Sequence, residues 1–354
     1  MWAAAHACAW DNDTLVAEIK GLPTVTDAII GRIPVNPPEY YKRRIEISET
    51  ALKADPSKLE HYDNLAVAYD KLGNFEKAMK AMISKKTQMG KMELANDDHD
   101  YRYHANVGTI FAHEWVRQQP NGEPAMLELA IAEIAKAIEI NPDAHFGREK
   151  IQLRLLETLA EVAGVRKEGE HTQASWREFA TETGSDKVVE GVIGIMALGT
   201  GPDNRDLIAI LMASLDSEQG NLAHLALLRD EELEKAGKKR WIKEDNQVEF
   251  SALEDGTKKR AKRSFIKLRE DAKNFQAHRT AYILKQIKAG RHPDTHADFW
   301  NGYKERPRLI LSAGPTSIQS KLASFLFIWG SVAAAIVGIW IFLRIRKWRK
   351  AKAT

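Results

Sequence analysis

The stretch Leu322–Leu343, LASFLFIWGSVAAAIVGIWIFL, runs for 22 residues without a charge. As a helix it reaches about 33 Å, enough to cross a hydrocarbon core of about 30 Å. Lys321 bounds it on one side and Arg344 on the other, and a basic run follows directly, which a buried core helix would not need. One transmembrane helix is therefore expected over 322–343. Gly330, Ser331, Ala333, Ala334, Ala335 and Gly338 place small residues mid-span, where another helix could approach closely.

The flanks set an orientation. The tail 344–354 carries Arg344, Arg346, Lys347, Arg349, Lys350 and Lys352, against Arg306, Arg308 and Lys321 before the span. This imbalance favours a cytoplasmic tail and a body on the other side of a bacterial inner membrane. Such a topology needs an export signal, and Ala5-His6-Ala7 before Cys8 has the small-x-small form of a cleavage end. An ordinary Ala-rich N-terminus reads the same way, and Cys8 is also readable as a lipid-attachment site. The same short basic tail suits the reverse topology, a tail-anchored protein with a cytosolic body.

The net charge is +3, from 52 basic and 49 acidic side chains. The tail holds six of the basic ones, so the remainder has 46 against 49 and is slightly acidic. That argues against nucleic acid as a partner, because such a body would carry its own basic surface. A single cysteine excludes a disulfide scaffold and a Cys-rich zinc site. Apolar residues at 44% suffice for a packed core.

Within the body, Tyr62–Met82 reads YDNLAVAYDKLGNFEKAMKAM. Tyr62, Leu65, Ala66, Tyr69 and Leu72 follow the i, i+3, i+4, i+7 rule, and so do Phe75, Ala78, Met79 and Met82. Gly73-Asn74 separates the two series as a tight turn between antiparallel helices would. This hairpin resembles the tetratricopeptide repeat (TPR) family. The carrying residues are Tyr62, Asn64-Leu65-Ala66, Tyr69, Leu72-Gly73, Phe75 and Ala78, with Ala51-Leu52-Lys53-Ala54-Asp55-Pro56 as a preceding close. A second copy begins at His104-Ala105-Asn106-Val107-Gly108, with Phe111 in the later aromatic slot. It ends Ala137-Ile138-Glu139-Ile140-Asn141-Pro142, and QQPNGEPA lengthens it by about ten residues over the usual 34 or so.

A hairpin of this kind cannot bury its face alone. Further helices are expected at Tyr40–Lys53, Glu149–Val162, Arg205–Ser217, Asn221–Ala236 and Ser264–Lys288, with a short one near Asp13–Lys20. Strand-like alternation is nearly absent. The expected fold is all-α: a TPR-like helical solenoid with additional irregular helices and one C-terminal transmembrane helix. Its pieces are an N-terminal arm (1–38), repeats (39–163), a second helical region (173–305), a linker (306–321), the span (322–343) and the basic tail (344–354).

Catalytic motifs are lacking. Gly199-Thr200-Gly201-Pro202 has neither the lysine nor the spacing of a phosphate loop, and Gly-x-Ser-x-Gly and His-Glu-x-x-His do not occur. His292, His296 and Asp298 have ligand-like spacing for a divalent metal, although Pro293 favours a helix start there instead. Asp97-Asp98-His99-Asp100 reads as a solvated helix start. Lys258-Lys259-Arg260 with Lys262-Arg263 could meet an anionic lipid or an acidic partner, or simply begin a helix that buries Phe265 and Leu268.

The TPR resemblance implies a groove for a peptide or helix, lined by Glu60, Asp63, Val67, Asp70 and Lys71, then Arg102, Ala105, Thr109, Ala112 and His113. The chaperone-binding subgroup would place Lys and Asn where Asp63 and Val67 stand, although Asn106 fits. A carboxylate clamp is therefore not expected. The functional expectation is a non-enzymatic membrane adaptor without cofactor, which binds a protein or peptide partner. A metal protein or enzyme built on residues 292–298 is the remaining alternative.

Overall fold

Every regular element among the described residues is a helix. The computed structural model describes residues 10–13, 22–92, 97–142, 148–167, 175–215, 220–242 and 255–309. The expected span, the basic tail, most of the linker and the Ala5–Cys8 segment lie outside them. No described helix is long and apolar enough to cross a membrane. The elements are α1 (Val25–Ile30), α2 (Pro38–Ala54), α3 (Glu60–Lys71), α4 (Phe75–Lys91), α5 (Asp97–Arg117) and α6 (Pro124–Ile140). There follow α7 (Arg148–Val162), α8 (Trp176–Thr183), α9 (Ser185–Ile195), α10 (Arg205–Ser214), α11 (Gly220–Lys235) and α12 (Asp255–Lys288). A π-helical turn, Met196–Thr200, extends α9.

The turn at Gly73-Asn74 forms as its residue types require. Gly73 sits at φ +76°, which an L side chain rarely adopts. Its N–H donates to the Asp70 carbonyl and that of Asn74 to the Tyr69 carbonyl, both at 2.9 Å, closing α3. The Asn74 side chain then accepts from the Lys77 N–H and caps α4. Ala66 and Ala78 are fully buried between α3 and α4, with Leu65, Met82, Val107 and Ile110 around them. Gly108 does the same for α5 against α6. A Cβ there would lie 2.8 Å from Ile134 Cγ1 and 2.9 Å from the Ala130 carbonyl oxygen.

Neighbouring helices pack in chain order from α2 to α7, and α3 also lies against α5. A second, larger core begins at the end of α5. Trp115, Leu127 and Ile134 join Ile151, Leu155 and Leu159 of α7, Trp176 of α8, Val188 and Val192 of α9, and the fully buried run Leu207–Leu211 of α10. Helices α5 to α7 and α8 to α11 thus share one core. The described residues up to Arg308 belong to one compact unit.

The long α12 packs on α11, α1 and α2. Its far end buries Ile283 with Tyr40 of α2 and Phe299. The last described helix therefore returns to α2. Its first turns contain the basic run, where Lys259, Arg260, Lys262 and Arg263 are exposed while Phe265 and Leu268 are buried.

Candidate functional site

The face shared by α3 and α5 is covered by the chain itself. Of the ten residues that the TPR resemblance places there, Asp63, Val67, Asp70, Ala105, Thr109, Ala112 and His113 are buried. Glu60 is exposed, 3.8 Å from His99. Asp63 receives Lys85 Nζ at 2.7 and 2.8 Å and Asn106 Nδ2 at 2.9 Å. Burial pushes the Asp63 carboxyl up, against the lowering effect of the Lys85 charge. Asp70 binds His113 Nδ1 and Arg117, tying α3 to α5. Burial pushes His113 below its ordinary value, with Asp70 opposing. Lys71 Nζ donates to the Gly199 carbonyl at 2.6 Å, which seats the π-helical turn on this face. Thr109 Oγ1 accepts from Gln152 Nε2 of α7 at 3.1 Å.

At the other end of the face lie residues 10–13. The Asn106 side chain pairs with the Trp10 backbone in both directions, accepting from its N–H at 2.5 Å and donating to its carbonyl at 3.2 Å. Asn64 Oδ1 accepts from the Asn12 N–H at 3.1 Å. Asn64 and Asn106, which the TPR resemblance aligns with each other, hold alternate residues of one short segment. The Trp10 ring meets Tyr101 edge-on at 6.4 Å and the Arg102 guanidinium at 4.2 Å. Ala105 completes this contact.

Arg44 takes the acidic residues of the same segment. It is fully buried on α2, four residues from Tyr40 and four from Ser48 along one face. It donates to Asp11 at 2.6 Å, to both Asp13 oxygens at 3.0 Å, to Asp294 at 2.8 and 2.9 Å and to Tyr40 Oη at 2.9 Å. Burial disfavours the guanidinium charge, but Asp13, Tyr40, Asp11 and Asp294 outweigh it and hold Arg44 protonated. Burial likewise opposes ionisation of Asp13, yet Arg44 and the Tyr40 hydroxyl keep its carboxyl below the usual range. A planar fork with five donors suits this many oxygens, and a lysine would not.

Residues 292–298 turn rather than form a helix, with the His296 N–H on the His292 carbonyl at 2.9 Å. His292 is buried against the Tyr40 ring at a centroid distance of 4.3 Å. Burial pushes it down to about 4, with Asp294 opposing and the Arg44 charge adding to the depression. His296 lies beside Thr295 Oγ1, and Asp298 pairs with Arg291. The alternative metal constellation is therefore not assembled. Among the described residues no group of three His, Cys, Asp or Glu could hold an ion. The separation follows from packing: His292 is drawn into the core, while Asp298 faces outward to a surface arginine.

Sequence reasoning passed over Arg44, Lys85 and Asp294. Only Arg44 had a signal in the sequence. Tyr40, Arg44 and Ser48 share one helical stripe, which marks Arg44 as a residue of the buried face. Comparison with known protein families, characterised proteins and solved structures finds no match to this chain.

Proposed function

We propose that this chain is a membrane-anchored helical-repeat adaptor, TPR-like in its first half, that recruits a protein partner without itself performing catalysis. The single observation that supports it most is the use of Asn64 and Asn106, which the TPR resemblance makes equivalent, on the backbone of one short segment, Trp10 to Asp13, which turns into a helix at Asn12. A side-chain amide that pairs with backbone groups recognises a peptide whatever its side chains, and neighbouring Arg44 and Arg102 add a preference for acidic and aromatic ones. The uncharged run 322–343 supplies the anchor, and the six basic residues after it favour a tail in the cytoplasm with the body outside it.

The test has two parts. Whole protein expressed in a bacterium is expected to stay with the membrane after an alkaline carbonate wash, and a chain ending at Ser320 to be released. Crosslinking in those membranes is expected to give a defined adduct that an Arg102→Glu substitution weakens. Whole protein that washes off, or an adduct pattern indifferent to the body's surface, removes this reading.

A further inference from the structure

We propose that residues 10–13 act as a built-in ligand of the α3–α5 face, and that an acidic Trp-Asp-x-Asp segment presented by another chain competes with them for it. The inference deepens the adaptor reading, and rests on it for the biological use of the face, by naming the chemistry of the partner.

Three features of the segment are those of a bound peptide. Its backbone is read by side-chain amides, two bonds at Trp10 and one at Asn12, and the Asn12 side chain adds only a 3.3 Å contact to Asp294. Its side chains are sorted by chemistry. Trp10 lies with Tyr101, Ala105 and Ala137 beneath the Arg102 cation, while Asp11 and Asp13 go to Arg44. The receiving groups also have partners outside the segment. Asp294 already holds two edges of Arg44, and Asp63 already orients the Asn106 amide, so both donors are in place for an incoming chain.

Occupation in cis has a consequence for affinity. A segment tethered close to its own site competes at an effective concentration of about millimolar, so a free partner must bind well or the tethered copy must be weakened. Truncating a buried tryptophan anchor typically lowers affinity by tenfold or more.

The experiment uses the whole chain in detergent. Cys8 is its one cysteine, two residues before Trp10. A fluorophore on that thiol reports release of the segment as a fall in anisotropy when a peptide of residues 9–16 is added. The expected result is a fall near about millimolar peptide in the native chain. In Trp10→Ala the midpoint should drop by about tenfold or more. A peptide with both aspartates replaced by asparagine should give no fall. Circular dichroism checks that the variant is folded, and Asp13→Asn serves as a milder substitute. No fall up to about 10 mM peptide in a folded variant overturns the proposal. So does an equal response to the asparagine peptide. If both variants unfold, the segment is a core element rather than a ligand, and the proposal fails on that ground. None of these failures touches the carbonate wash or the crosslinking, which test the adaptor reading separately.

Discussion

Lys85→Met isolates the energetics of the α3–α5 face. Lys85 is fully buried, and Asp63 is 2% exposed, so water cannot replace either partner's loss. Methionine keeps the length and the apolar stem while removing the charge, which leaves the Asp63 carboxylate with one hydrogen bond, from Asn106. Breaking a buried pair by removing one member typically costs about 3–5 kcal/mol. For a body of this size that corresponds to a fall in Tm of roughly 6–15 °C. The double variant Asp63→Leu/Lys85→Met removes both charges, and Asn106 keeps its bond to the Trp10 carbonyl. It should recover to within about 1–2 kcal/mol of the native chain. The pH dependence carries an independent sign. Asp63 already has its folded value raised by burial, and loss of Lys85 raises it further. The deficit of Lys85→Met is then full above that folded value and shrinks as the pH falls towards the unfolded value of about 3.9. Urea unfolding of the three variants at pH 7.5 and at pH 5 measures both effects. A single variant within about 1 kcal/mol of the native chain, where about 3 kcal/mol or more is expected, or a double variant no better than the single, would refute the argument.

Three further outcomes follow from the same structure. Gly108→Ala improves helix propensity in α5 but drives a Cβ onto Ile134 and the Ala130 carbonyl, so it should destabilise by about 1–3 kcal/mol in thermal unfolding. Asn74→Ala removes the cap of α4 and should cost about 1 kcal/mol by the same measurement. Asp206 is buried and accepts from the Trp241 and Ile242 N–H groups; burial pushes it up to about 6, with those bonds and Arg240 and Arg205 opposing. The native chain should therefore lose stability as pH rises through about 6. Asp206→Asn, which keeps an acceptor without the charge, should be more stable by about 1–3 kcal/mol at pH 8 and lose that advantage by pH 4, as denaturant midpoints at the two pH values will show.

The helices whose residues alternate cleanly between faces were legible in the sequence. Tyr40–Lys53, Glu149–Val162 and Asn221–Ala236 each lie within about two residues of α2, α7 and α11. The Gly73-Asn74 turn and its flanking alanines were legible for the same reason: residue type alone demands that geometry. Helix α9 was not. Its sequence SDKVVEGVIGI combines β-branched residues with two glycines, all poor helix formers. Packing overrides propensity there, because a Cβ on Gly191 would meet Ile151 at 2.5 Å and one on Gly194 would meet Arg148 at 2.5 Å. Helix α1 was passed over because Gly21-Leu22-Pro23 and Gly31 read as an arm, whereas Thr24 and Asp27 form a reciprocal capping box.

The inner face shows a different limit. The residues that the TPR resemblance names lie along α3 and α5. Most of them are covered by partners distant in sequence. Lys85 is 22 residues from Asp63, and Asp294 is 250 from Arg44. Pairs at such separations leave no local pattern, and each charged residue taken alone reads as solvated surface.

The account rests most heavily on the anchor and on the side of the membrane where the body lies. Protease accessibility in intact spheroplasts tests both at once, with a tag after Thr354 and an antibody to the folded body. The account predicts that the body is digested while the tag stays protected, the span holding the protein with its basic tail inside. A body protected until the membrane is broken, or found in the soluble fraction, would contradict it.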